Sequence, residues 1–252
     1  MSNGKQLRWR RIFGSDGRAV VIAMDHGMMG VSPLGNLTQP GQLIAHVVEA
    51  GADAILTTPG IASSFGTVIG RAGLILRVDG GVSRLGGQWG RMSQIYPVED
   101  AIRLGADAVV AMGLVGGAEE KESLASLAAV ASQCHRWQLP LLAEMMLVGA
   151  AGETPSPENL ITAARIGVEM GADFIKVAYT GTPESFKSLV ENCFVPVLVL
   201  GGESKAEAEI LGQVQESIAA GAAGVALGRN VWQQRDPVAM TRAIVQIVHG
   251  HG

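Results

Sequence analysis

Short apolar runs, each preceded by an amphipathic stretch, recur along the whole chain. The junction carries a repeated phrase: Gly51-Ala52-Asp53-Ala54-Ile55-Leu56, Gly105-Ala106-Asp107-Ala108-Val109-Val110 and Gly171-Ala172-Asp173-Phe174-Ile175-Lys176. Gly221-Ala222-Ala223-Gly224-Val225-Ala226 is a looser fourth copy. A glycine closing an amphipathic stretch predicts a helix ended by a left-handed residue, followed by a short loop and a strand. Continuous apolar strands are those of a parallel sheet covered on both faces. The pattern predicts strands over Ala19–Met24, Ala54–Thr57, Leu74–Val78, Ala108–Met112, Leu141–Met145, Phe174–Val177, Pro196–Leu200 and Gly224–Leu227. The clearest helical stretches are Gln42–Ala50, Val98–Leu104, Glu119–Trp137, Pro157–Met170, Pro183–Glu191, Lys205–Ala220 and Pro237–His249. Ser156-Pro157 and Asp236-Pro237 have the order of an N-cap followed by proline in the first turn.

Eight alternating strand–helix units predict an α/β fold, a (β/α)8 TIM barrel. One domain is expected over residues 1–252. A doubly wound open sheet is the alternative, since strand order is not written in the chain. Gly80–Gln94, rich in Gly, Arg and Ser, predicts a long loop between the third and fourth strands. Leu7–Phe13 predicts a short helix that closes the barrel bottom.

Composition narrows the function. The chain has 252 residues, 48% hydrophobic and 17% charged, so it carries ample core material. A net charge of −4 without a basic tract, and only 4% aromatic residues, exclude a nucleic-acid surface. Leu7–Phe13 alternates apolar residues with arginines, unlike a signal peptide. No apolar run reaches the roughly 18 residues of a membrane span. Cys134 and Cys193 lack metal-like spacing and read as reduced thiols of a cytoplasmic protein.

In a TIM barrel, chemistry collects at the carboxyl ends of the strands. The predicted ends carry Asp25-His26-Gly27, Thr57-Thr58, Arg77-Val78-Asp79, Glu144, Lys176 with Tyr179-Thr180-Gly181, Gly201-Gly202-Glu203-Ser204, and Gly228-Arg229-Asn230. Lys176 is the one lysine of five that falls in a strand, and alternation puts it on a face with Phe174 and Ala178. Burial disfavours an ammonium, and a neutral amine is a nucleophile toward carbonyls. A snorkelling lysine is the structural alternative. Asp25 beside it is either an Asx turn or an acid/base carboxylate. Glu144, inside an apolar strand, requires a partner: either a salt bridge to a barrel arginine or a role in the chemistry. The glycine-rich ends of the seventh and eighth strands, with Arg229, match the usual phosphate position of this fold. Glu203 is awkward there unless it points away. The five histidines show no metal-ligand spacing. No dinucleotide fingerprint follows the first strand, and no nucleophile elbow is present.

Several segments together resemble the archaeal-type class I fructose-bisphosphate aldolases, grouped with deoxyribose-phosphate and tagatose-bisphosphate aldolases. They lie nearest the 2-amino-3,7-dideoxy-D-threo-hept-6-ulosonate synthase branch. These segments are Leu7–Phe13, Met24-Asp25-His26-Gly27, Arg136–Ala143, Lys176–Phe186, Gly228–Gln233 and Asp236-Pro237-Val238. The resemblance covers nearly the whole chain. It implies a TIM barrel, often a large homo-oligomer, that uses a Schiff-base lysine without metal or other cofactor on a phosphorylated small molecule. By that likeness Lys176 forms the Schiff base and Asp25 is the acid/base carboxylate. Gly202, Gly228 and Arg229 match phosphate-binding positions, with His26, Tyr179, Gly201 and Ser204 expected around the substrate. The family's Tyr-Pro-Arg-Gly motif, whose tyrosine donates a proton, reads Met146-Leu147-Val148-Gly149 here. Methionine cannot transfer a proton, and Glu144 is the expected substitute. Asp79 also departs from the family's small polar residue. Thiolase or transaldolase-type transfer, or a barrel that only binds sugar phosphates, are the alternatives to aldol cleavage.

Overall fold

The structure is a computed structural model and describes residues 2–86, 92–148 and 156–250. Eight parallel strands close into a barrel: β1 (Ala19–Ala23), β2 (Ala54–Thr57), β3 (Gly73–Arg77), β4 (Ala108–Val115), β5 (Leu141–Leu147), β6 (Phe174–Ala178), β7 (Val197–Leu200) and β8 (Gly224–Leu227). Each pairs with its neighbours in chain order, and β1 pairs with β8 through Ala19↔Gly224 to Ile22↔Leu227. The open sheet is thereby set aside. Strands β4 and β5 run past their expected ends, paired as far as Val115↔Leu147.

Around the barrel lie α1 (Asn3–Trp9), α2 (Pro40–Glu49), α3 (Pro59–Ile69), α4 (Val98–Arg103), α5 (Glu120–Trp137), α6 (Pro157–Glu169), α7 (Pro183–Glu191), α8 (Glu207–Ala219), α9 (Arg229–Trp232) and α10 (Pro237–His249). Helix α3 is not among the expected helices. Its Gly60, Gly66, Ser63, Ser64 and Thr67 are weak helix formers, and tertiary packing of Ala62 and Ile69 carries it. Helix α8 starts at Glu207 rather than Lys205. Ser156 and Asp236 cap as expected, accepting from the N–H of Asn159 and from those of Val238 and Ala239. The Gly80–Gln94 segment is pinched at its base by an antiparallel ribbon, Asp79-Gly80 against Ser93-Gln94, and its residues 87–91 lie outside the described ones.

The repeated phrase has a physical purpose. Gly51, Gly105, Gly171 and Gly221 have φ of 108°, 79°, 99° and 101°, which ends each helix in a conformation only glycine adopts without strain. The aspartate that follows in three copies reaches back to the preceding strand. Asp53 accepts from the N–H of Val20 at 2.7 Å, Asp107 from Leu74 at 3.0 Å and Asp173 from Leu141 at 2.9 Å. Each aspartate N–H in turn donates to the carbonyl of that same residue. A basic side chain completes each: His249 on Asp53, Arg11 on Asp107 and Lys5 on Asp173.

The barrel interior is closed below by aromatic rings. Trp9 stacks on Phe13 at 4.1 Å, and both meet Phe174 edge-on at 5.3 and 5.5 Å. The end of α1 and the chain just after it thus plug the bottom, although the helix starts and ends four residues before the expected Leu7–Phe13. Phe174 packs in one apolar cluster with Val21, Leu56, Ile75, Val110, Leu142 and Leu198. The next inward positions on β3, β5 and β6 are charged: Arg77, Glu144 and Lys176.

Candidate active site

Strand alternation builds the site. Two residues above Phe174 is Lys176, two above Leu142 is Glu144, and two above Ile75 is Arg77. Sheet register places Glu144 opposite Lys176, so amine and carboxylate meet by pairing alone. The Nζ of Lys176 lies 2.6 Å from Oε1 of Glu144. Both residues are buried, as are Asp25, Arg77 and Asp79.

Arg77 organises the rest. Its Nε–H donates to Oδ2 of Asp25, one terminal nitrogen donates to Oδ1 of Asp79 at 2.8 Å, and the other donates to Oε2 of Glu144. The remaining oxygen of Asp79 accepts from the N–H of Met112 at 2.6 Å. Oδ1 of Asp25 and Nδ1 of His26 lie 3.2 Å apart but off the line of a hydrogen bond. Both atoms are buried without a hydrogen-bond partner.

These contacts set the charges. Burial opposes ionisation of Asp25, but the Arg77 guanidinium, with His26 and Lys176, overrides it and holds the carboxyl far below the usual range. Glu144 is also lowered: burial resists, and Lys176 and Arg77 outweigh it. Asp79 is raised, because for it burial prevails over Arg77. Arg77, although wholly buried, is held charged by the three carboxylates.

Above this layer opens a cavity of about 520 Å³, with Lys176 and Glu144 at its base. One wall is Gly201, Gly202, Glu203, Gly228 and Arg229; the opposite side brings Ser83 and Arg84 with Met29, Met112 and Met146. The Nε of Arg229 is buried and unpaired. Asn230 binds the two glycine loops together. Its amide donates to the carbonyls of Gly201 and Glu203, both at 2.9 Å, and its Oδ1 accepts from the N–H of Lys205 at 2.8 Å. His26 stands edge-on to Trp232 at 5.3 Å, and any side chain on Gly228 would collide with its imidazole. Trp232 itself donates to the carbonyl of Ala23 at 3.1 Å.

The expected residues divide into two groups. Lys176, Glu144, His26, Gly201, Gly202, Gly228 and Arg229 line this cavity, and Asp25 lies beneath it. Tyr179 does not belong: β6 ends at Ala178, and the phenol turns outward to donate to Glu216 at 2.7 Å. Burial and that carboxylate raise its pKa, making it a poorer acid still. Ser204 is exposed and apart from the cavity lining. Of the Met146–Gly149 stretch, Gly149 lies outside the described residues, whereas Met146 faces the cavity. The salt bridge from Glu144 to a barrel arginine, posed as the alternative to a role in the chemistry, is present with Arg77, and Glu144 also contacts Lys176. Sequence reading gave no role to Arg77, Asn230 or Arg84. Arg77 carried the same signal as Lys176, a charge in an apolar strand. The braces made by Asn230 join loops distant in sequence and leave no local mark. Among the described residues no cluster of His, Cys, Asp and Glu could hold a metal ion, and no helix is long and apolar enough to cross a membrane.

A sequence profile of the DeoC/LacD family aldolases matches residues 19–234. A 2-amino-3,7-dideoxy-D-threo-hept-6-ulosonate synthase of Halobacterium salinarum is 38% identical over 246 residues, covering 98% of this chain and 92% of the relative. A class 1 fructose-bisphosphate aldolase of Thermoproteus tenax is 34% identical over 251 residues, covering 96% and 94%. Among solved structures, an archaeal fructose-1,6-bisphosphate aldolase with its catalytic Lys covalently bound to the carbinolamine intermediate of the substrate superimposes with a TM-score of 0.88. It is 32% identical, with 98% of this chain and all of that one covered.

Proposed function

The chain belongs to the DeoC/LacD family of aldolases, and from that premise we propose that it cleaves or forms a carbon–carbon bond of a phosphorylated ketose through a Schiff base on Lys176. The observation that carries this reading is the 2.6 Å pair of Lys176 with Glu144 at the base of the cavity.

Proton bookkeeping favours the pair. Conversion of an ammonium and a ketone into an iminium and water moves two protons from nitrogen to oxygen and needs none from outside. Glu144 takes a proton from Nζ; the amine attacks the carbonyl carbon; the proton passes to the oxygen, giving a carbinolamine. A second transfer by the same route expels water and leaves the iminium. Asp25 then removes the proton of the β-hydroxyl through Oδ1, the oxygen not bound by Arg77. The adjacent C–C bond breaks, its electron pair moves into the iminium, and an aldehyde leaves. The substrate phosphate is held by Gly201, Gly202, Gly228 and Arg229, whose buried, unpaired Nε supports that role. His26 orients the substrate beside it.

Met146 supports a second reading, thiolysis of a phosphorylated dione in which the acyl fragment released by C–C cleavage passes to a thiol while the other fragment stays as the enamine on Lys176, because the site lacks the family's tyrosine acid. A panel of ketose phosphates that includes fructose 1,6-bisphosphate, together with a phosphorylated dione, assayed with and without coenzyme A, separates the two. Turnover without coenzyme A is expected, and strict dependence on it would favour transfer. Lys176→Met is expected to abolish either activity with folding intact; retained turnover contradicts the assignment. The same reading takes the protein as a cytoplasmic homo-oligomer of one-domain barrels, checked by cell fractionation and light scattering.

A further inference from the structure

We propose that Arg77 is the positioning residue of this reaction. It ties down one oxygen of Glu144 and one of Asp25, and so presents the other oxygen of each to the reacting atoms. The proposal rests on Lys176 being the Schiff-base nucleophile.

Geometry carries the argument. A guanidinium is a rigid planar fork whose donors point in fixed directions. Here its three nitrogens meet three different carboxylates. Oε2 of Glu144 is taken by Arg77, which leaves Oε1 for Nζ of Lys176. Oδ2 of Asp25 is taken likewise, and Oδ1 is left without a hydrogen-bond partner. Arg77 has no exposed surface and is absent from the cavity lining, so it acts through these carboxylates and not on substrate. Asp79 fixes the fork itself. One of its oxygens holds Arg77 and the other accepts from the N–H of Met112 on the neighbouring strand.

The competing explanation is that Arg77 only neutralises buried carboxylates. Arg77→Lys separates the two, since lysine keeps the charge but supplies a point donor in place of a fork. The probe is dihydroxyacetone phosphate, a small phosphorylated ketone, with borohydride to trap the adduct on Lys176. We expect the maximal trapping rate of Arg77→Lys to fall about 100-fold, the loss typical of a reacting group displaced by about an ångström. The half-saturating concentration stays within about threefold, because the positions assigned to phosphate are untouched. The acid limb of the pH–rate profile moves to higher pH, because Asp25 and Glu144 each lose a guanidinium hydrogen bond. The groups that face the fork are Asp25 and His26 after β1, Asp79 after β3, Glu144 on β5 and Lys176 on β6, and none of them is altered. Binding of inorganic phosphate, followed by calorimetry, is expected to be unchanged.

Trapping by Arg77→Lys at the wild-type rate and with the wild-type profile overturns the proposal. A rate reduced only in proportion to the folded fraction overturns it as well. Should Arg77→Lys not fold, Asp79→Asn loosens the fork with less charge disturbance. It is expected to slow trapping about tenfold with the profile altered, and an unchanged rate there is equally decisive against the role. Failure of the wild-type protein to trap any adduct would overturn the Schiff-base reading instead.

Discussion

The two ends of the barrel use the same residue types to opposite effect. At the bottom, Asp53, Asp107 and Asp173 each have both a strand N–H and a basic side chain. His249 serves Asp16 as well as Asp53. At the top, three carboxylates share Arg77 and Lys176, Oδ1 of Asp25 and Nδ1 of His26 have only each other at 3.2 Å outside hydrogen-bond geometry, and Nε of Arg229 is buried without a hydrogen-bond partner. A buried polar atom without a partner costs roughly 1–3 kcal/mol. The bottom spends none of that cost and holds the fold. The top retains it where a substrate would supply the missing partners. The contrast separates structural from catalytic aspartates by what they leave unpaired, not by how buried they are.

Changes at the two ends therefore have different readouts. After Lys176→Met, which removes the nucleophile itself, the largest effect is expected from Glu144→Gln, which keeps the shape of the side chain but cannot relay protons. Turnover of the best ketose phosphate in the panel falls by about 10²–10⁴-fold, measured against a thermal melt that shows the fold retained. Next is Arg229→Ala, which weakens the apparent affinity for substrate by about 10–100-fold, since a charge-assisted hydrogen bond contributes about 1.5–3 kcal/mol. The maximal rate moves far less.

At the bottom, Asp173→Asn removes the ion pair with Lys5 but leaves an acceptor for Leu141. Denaturant titration is expected to show a loss of about 1–3 kcal/mol, with kcat unchanged per folded molecule. A kcat effect there would break the division of labour. The smallest effect belongs to His249, which bridges Asp16 and Asp53 at 2.8 and 2.9 Å. Burial resists its protonation, but both carboxylates override it and raise its pKa above the ordinary 6.5. A raised folded pKa means the stabilisation is complete below 6.5 and fades as pH climbs through the folded value. Partial solvent exposure keeps the effect to about 1 kcal/mol or less. His249→Gln should thus lower the melting temperature in mildly acidic buffer and hardly at all in alkaline buffer.

Much of this was legible in the chain. The glycine–alanine–aspartate phrase located helix ends and strands because both are local devices. Lys176 and Glu144 stood out as charges inside apolar runs. Their contact follows from register, which a sequence does not give until strand order is known. The outward turn of Tyr179 was in fact available, since the period-two alternation that points Lys176 inward points Tyr179 out. Family likeness overrode it. The three-way fork of Arg77 could not be read, because it joins Asp25, Asp79 and Glu144 across strands far apart in the chain. Helix α3 was hidden by its glycines and serines, whose low propensity is overcome only by packing.

The central claim is that Lys176 is the group that binds substrate covalently, at the open end of this barrel. Its most direct test is peptide mapping by mass spectrometry after borohydride reduction in the presence of a turned-over ketose phosphate. The account predicts one adduct, on the peptide that contains Lys176, lost in Lys176→Met. An adduct on another lysine, or turnover that leaves none on Lys176, would contradict it.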